Sequence, residues 1–131
     1  MANVRKGKEC IITLPNERGA GAKLLETVAK AGVNLNGIVG YEMGPNEACI
    51  HVVADDYDKA CSAIQNAGYS CQGSDVLLVD VPNAPGSCAE ILKKLADEGV
   101  DVEYCNATAL EGRSLFVIKT KDNDKALAAL S

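Results

Sequence analysis

The sequence predicts an α+β protein: two ferredoxin-like βαββαβ repeats side by side, antiparallel sheets with helices on one face. Three observations predict it. Residues 15–33 align with residues 82–100 with eight identities: Pro15/Pro82, Asn16/Asn83, Gly19/Gly86, Ala22/Ala89, Leu25/Leu92, Ala29/Ala96, Gly32/Gly99 and Val33/Val100. Chance gives about one in such a window, so the chain carries an internal repeat. The apolar period also switches between strand and helix spacing in the same order in both halves. Finally, 131 residues allow two units of a size whose cores are marginal unless they pack together.

Each repeat opens on a short run rich in branched apolar residues, "CIITL" and "VLLVDV", ended by Pro-Asn. The period then becomes helical. Leu24, Leu25, Val28 and Ala29, and likewise Ile91, Leu92, Leu95 and Ala96, recur at i, i+3 and i+4, and Gly32 and Gly99 stand where a helix stops. Helices over about 19–31 and 86–98 follow. Two hairpins come next: "VNLNGIVGYEM" with "ACIHVVAD" around Gly44-Pro45-Asn46, and "VDVEYCNATAL" with "SLFVIKT" around Glu111-Gly112-Arg113. Asp55 or Asp56 can cap a helix over "YDKACSAIQNAG", and Asp122 one over "NDKALAAL". The matching residues Asp56, Asp58, Lys59, Ala60, Ala63 and Asp122, Asp124, Lys125, Ala126, Ala129 carry the repeat to this point at an offset one shorter. A last strand, "YSCQG", is legible only in the first half. The repeats are therefore expected at 1–73 and 74–131, the second with its final strand absent or truncated.

Composition narrows the function. A chain 47% hydrophobic and 24% charged folds, and a net charge of -5 with 18 acidic residues against 13 basic ones disfavours nucleic acid and anionic membranes as partners. No stretch nears the roughly 18 apolar residues of a membrane span, and "MANVRKGKEC" lacks a secretory apolar run, which gives the expectation of a cytoplasmic protein. The six cysteines contain no C-x-x-C pair and read as small buried hydrophobes, so neither a metal nor another cofactor is expected. His51 has no nucleophile or carboxylate at a dyad spacing and reads as a half-buried sheet residue. Cys88 sits in a helix first turn, where a thiol pKa falls, but packing is its simpler role. The acidic "ADDYD" at 54–58 lacks the spaced ligands of a calcium loop and reads as a solvated helix start.

The motif Asn83-Ala84-Pro85-Gly86 before a helix, followed by Glu98-Gly99-Val100-Asp101-Val102, resembles the ACT domain family. The first repeat carries Asn16-Glu17-Arg18-Gly19 and then Ala31-Gly32-Val33-Asn34-Leu35. The likeness spans nearly the whole chain and is strongest to stand-alone tandem ACT proteins without a catalytic domain. It implies a non-enzymatic regulatory protein that senses an amino acid at the interface between the two repeats, through the loop after the first strand and the start of the second. The missing final strand leaves an edge that another subunit would cover, so a homodimer is expected, and with no effector domain visible in the sequence a regulated protein partner, which the sequence does not name, is expected to read the state.

Chemistry supplies a reason for that loop. It ends at a helix N-terminus, where unpaired N–H groups and the helix dipole hold a carboxylate, and Gly19 and Gly86 let a ligand approach the backbone. If the repeats pair as the family implies, one site joins Asn83, Ala84, Pro85 and Gly86 to Asn34 and Leu35. The other joins Asn16, Arg18 and Gly19 to Asp101, whose carboxylate repels an acid and attracts an amine. The first is the favoured site. Asn16 and Asn83 are equally readable as cap or turn residues, and Asn34 as a turn residue. Two other classes stay open: a small ferredoxin-like enzyme, for which Arg5, Arg18 and Arg113 are too scattered to form an anion clamp, and a structural or interaction module without a ligand.

Overall fold

The computed structural model describes residues 3–131. Six strands and four helices follow in the order β1 (Asn3–Pro15), α1 (Ala20–Lys30), β2 (Leu35–Glu42), β3 (Glu47–Ala54), α2 (Tyr57–Asn66), β4 (Gln72–Pro82), α3 (Ser87–Asp97), β5 (Val102–Leu110), β6 (Arg113–Thr120) and α4 (Asn123–Leu130). The α+β class and the tandem βαββαβ order are those the periodicity predicts, and the paired strands are antiparallel.

The chain forms two compact units: residues 8–74, and residues 75–131 together with residues 3–7. In the first, the strands run in the order β2-β3-β1, with Ile12 opposite Ile50 and Val39 opposite His51. Its core is made by every second residue of β1 and β3 (Cys10, Ile12, Leu14, Ile50 and Val52) against Leu24 and Val28 of α1 and Ala60 and Ile64 of α2. Those helix residues are spaced four apart and so share a face, which is why the helical period in the sequence is also the packing face.

The second unit repeats this plan. Its strands run β4-β6-β5, and Leu77, Val79, Val81, Phe116 and Ile118 pack on Ile91, Leu95, Ala126 and Leu130. The strand missing from the end of this repeat has a substitute. Residues 3–7 of β1 lie beside β4: Val4 packs on the core, Arg5 Nη1 donates to Asp80 Oδ2 at 3.1 Å, and Lys6 pairs with Asp124. Strand β1 is thus longer than the apolar "CIITL", because the polar "NVRKGKE" before it finds ladder partners that its composition does not advertise.

The two kinds of helix start differ. Asp56 Oδ1 accepts from Lys59 N at 3.1 Å and Asp122 Oδ1 from Lys125 N at 3.0 Å, so α2 and α4 have side-chain caps. Helices α1 and α3 have none; Gly19 and Gly86 occupy their N-caps at φ 85°, a left-handed backbone that side chains with a Cβ resist.

Candidate functional site

The loops entering α1 and α3 are built alike. Strand β1 ends at Pro15, Glu17 N and Ala20 N turn back onto Pro15 O and Glu17 O, and Asn16 N donates across to Asn46 O at 3.0 Å. In the second unit Ala84 N and Ser87 N bond Pro82 O and Ala84 O, and Asn83 N donates to Gly112 O, also at 3.0 Å. Each loop is therefore tied by backbone to its neighbouring hairpin and delivers a helix whose first-turn N–H groups meet no capping side chain.

The two asparagines are used differently. Asn16 Nδ2 donates to Glu42 Oε2 at 2.7 Å and to Gly44 O at 3.1 Å, so it fastens the β2–β3 hairpin instead of capping α1. Asn83 is exposed, and the position matching Glu42 is Ala109, which offers its amide no acceptor. The equivalent donor is thus held in one loop and available in the other. Around the first loop lie a hollow of about 240 Å³ floored by Leu14 and Ile50 and walled by Gly21, Gly40 and Tyr41, and one of about 320 Å³ bearing Glu17, Arg18 and Lys23. Gly21 and Gly40 flank Ile50 at contact distance from where a Cβ would sit, so their lack of side chains opens the slot.

Asn34 and Leu35 stand at the far end of the first unit's sheet. Asn34 O accepts from Asp55 N at 2.9 Å, its N–H donates to Asp55 Oδ1 at 3.1 Å, and Leu35 pairs with Ala54. Asn16 lies by Glu47, the opposite end of β3, about 25 Å away at ordinary strand rise. Asp101 is placed like Asn34, its carbonyl accepting from Lys121 N at 3.0 Å. Neither unit by itself brings its loop and its second-strand start together.

A larger hollow, about 460 Å³, lies in the second unit between Lys6, Asp75 and residues 119–124. Its polar groups serve one another. Lys6 pairs with Asp124, Asp122 caps α4, and Asn123 accepts from Thr120 Oγ1 at 2.7 Å and donates to Asp75 O at 2.8 Å.

One polar constellation is not visible in the sequence. His51 is 6% exposed and Glu9 1%; His51 Nδ1 meets Glu9 Oε1 at 2.9 Å and His51 Nε2 meets Tyr41 Oη at 2.9 Å. The carboxylate that no dyad spacing reveals comes from the adjacent strand, 42 residues away. The one signal lies in the repeat, where Val76 and Val117 occupy the places of Glu9 and His51. The hydroxyl of Tyr41 is pushed up by its hydrogen bond with Cys49 and by burial, the reverse of activation for proton transfer. Among the described residues no group of three or more His, Cys, Asp or Glu is arranged to hold a metal ion, and no helix is long and apolar enough to cross a membrane.

Residues 8–130 match the ACT domain pair family. The chain belongs to that family. A Bacteroides thetaiotaomicron protein of known crystal structure is similar to this ACT pair at 28% identity and a TM-score of 0.91, over 97% of this chain and 88% of that one. The regulatory subunit of aspartate kinase from Thermus thermophilus, in a ligand-free form, shares the fold at 18% identity and a TM-score of 0.71, over 98% of this chain and 93% of its own. Its Thermus flavus counterpart does so at 19% identity and 0.65, over 99% and 93%. No curated protein matches the chain.

Proposed function

We propose that this ACT pair is a non-enzymatic regulatory protein of the cytoplasm that senses an amino acid. ACT domains are regulatory, amino-acid-sensing modules in general, and the Thermus neighbours that share the fold are regulatory subunits. The observation that carries the reading is the contrast between helix starts. Two helices are closed by aspartates, while the two that follow the Pro-Asn-x-x-Gly loops present uncapped N–H groups over a glycine, the arrangement that receives a carboxylate.

The ligand carboxylate sits at such a helix start, with Asn83, Ala84, Pro85 and Gly86 as the preferred loop because the Asn83 amide is uncommitted. Asn34 and Leu35 contribute the complementary strand start. The loop of Asn16, Arg18 and Gly19, with Asp101 as its complement, is the second candidate; there Asn16 works by holding the hairpin, and Arg18 supplies charge. The protein acts as a homodimer and passes its state to a protein partner, since a ligand shifts an equilibrium only through its unequal affinity for two states and another molecule must respond. Each unit carries large apolar side chains open to solvent, Ile38 and Met43 in the first and Leu110 in the second, as contacts with a second copy require.

A thermal-shift screen of the twenty amino acids tests this. One or two are expected to raise Tm in a saturable way, with Asn83→Ala abolishing the shift and Asn16→Ala weakening it less. A flat response to all twenty ends the sensor reading.

A further inference from the structure

Three of the six cysteines converge in the first unit. Cys10 on β1 is wholly buried, Cys61 lies on α2 and Cys71 immediately precedes β4, the last two partly exposed. All three belong to one packed cluster with Tyr57, and the Cys71 thiol is pushed up by burial and by the neighbouring Cys61 and Cys10 thiols. The sibling repeat serves as an internal control. At the matching places it holds Leu77, Leu127 and Val4, packed into its own core. The fold therefore needs only apolar volume at these three points, and the meeting of three thiols is a property of this unit's sequence and not of the architecture.

We propose that Cys61 and Cys71 form a reversible disulfide when the protein meets a hydroperoxide. Cys10 is the less suitable partner because it is fixed in the β1–β3 ladder opposite Val52 and sealed from solvent. Cys71 lies outside the ladder, where the backbone is freer to bring its sulfur to that of Cys61. In the reaction one thiolate attacks a peroxide oxygen, the O–O bond breaks, and hydroxide or alkoxide leaves to be protonated, giving a sulfenic acid. The second sulfur then attacks the sulfenic sulfur; the S–S bond forms and water departs. The two sulfurs lose two electrons, which reduce hydrogen peroxide to two waters. Burial pushes the Cys71 thiol up, with Cys61 and Cys10 adding to it, so the thiolate is scarce at neutral pH and the bond forms faster in alkali. Such a pair answers sustained oxidation, not a brief pulse.

The test treats the full chain with hydrogen peroxide at pH 7 and at pH 9. Intact mass is read before and after the remaining thiols are alkylated without reduction, and the alkylated protein is then digested. A loss of about 2 Da, a fall from six free thiols to about four, and a Cys61–Cys71 cross-linked peptide that vanishes with dithiothreitol are expected, with faster closure at pH 9. Cys71→Ser and Cys61→Ala should each abolish the cross-link while leaving Cys88 and Cys105 alkylatable. Six free thiols after prolonged treatment, irreversible oxidation of either sulfur without cross-linking, or a bond to Cys10, Cys88 or Cys105 in place of this one overturns the proposal. The mapping is made on the unaltered protein, so its outcome stands even where a variant fails to fold.

Discussion

Single residues show where this fold tolerates polarity and what that costs. Asp80 is held by Arg113 at 2.9 Å and Arg5 at 3.1 Å, and although burial works to raise its pKa, the hydrogen bonds and charges of the two arginines together hold its carboxyl below the usual 3.8. A depressed carboxyl contributes stability that is complete above its unfolded pKa and is lost as pH falls through the folded one. Asp80→Asn is therefore expected to lower stability at pH 7 by no more than about 1 kcal/mol, since the arginines are half to three-quarters exposed. The gap to the unaltered protein should close as pH falls through the lowered folded pKa of Asp80, read as Tm against pH. Glu9 and His51 are the opposite case, buried together. Removing one takes from the other the hydrogen-bond partner it meets in the interior at 2.9 Å, so His51→Val alone should cost about 1–3 kcal/mol by urea unfolding. The double change Glu9→Val with His51→Val, which copies Val76 and Val117, should recover more than half of that loss. A double variant as weak as the sum of the singles shows that the pair is not the unit of stability.

At the level of elements, what the sequence discloses follows how local each signal is. Helices α1 and α3 are legible within a residue or two because their apolar spacing, their glycine stops and their packing faces are the same residues. The caps of α2 and α4 are equally local: Asp56→Ala and Asp122→Ala should each cost about 1 kcal/mol and fray one helix start, seen as faster amide exchange at Lys59 or Lys125. Strand β4 runs unbroken through "QGSDVLLVDVP", joining the last two residues of the expected strand "YSCQG" to "VLLVDV" while Tyr69, Ser70 and Cys71 stay outside it, although the Gly73-Ser74 step divides the two in the sequence. Gly73 is there for space. A Cβ would overlap the Tyr57 hydroxyl, so composition reads as a break what packing uses as a gap. Of the candidate loops, the glycine and asparagine positions are legible, while the fastening of Asn16 to Glu42 is not, because it depends on how far the β2–β3 hairpin reaches. The Glu9–His51–Tyr41 array is hidden for the same reason: strand register is a pairing of distant segments, and no spacing along the chain encodes it.

For the whole molecule, the repeat alignment and the compact units diverge at one place, and a stability argument follows from it. The alignment begins each repeat at its apolar first strand and leaves the second without a last one. The structure gives that position to residues 3–7, which the alignment does not contain. Val4 then adds apolar area to the second core, Arg5 and Lys6 engage Asp80 and Asp124, and the backbone beside β4 gains a partner it would otherwise lack. Gly7 fits the same account, since a Cβ there would meet Leu78 Cγ at 2.9 Å, closer than side chains approach. Deleting the first seven residues is thus a local lesion in the second unit although it is made at the other end of the chain. We expect it to lower stability by about 2–3 kcal/mol, the sum of a partly buried valine, two exposed ion pairs and an opened strand edge. Amide exchange should locate the loss: faster in Val76–Val81 of β4 and in α4, with β3 protected as before. Uniform acceleration across β3 and β6, or none in β4, shows that residues 3–7 are not that unit's fourth strand. Gly7→Ala in the full-length chain gives the same ranking of elements in milder form, because crowding Leu78 loosens the strand without removing it.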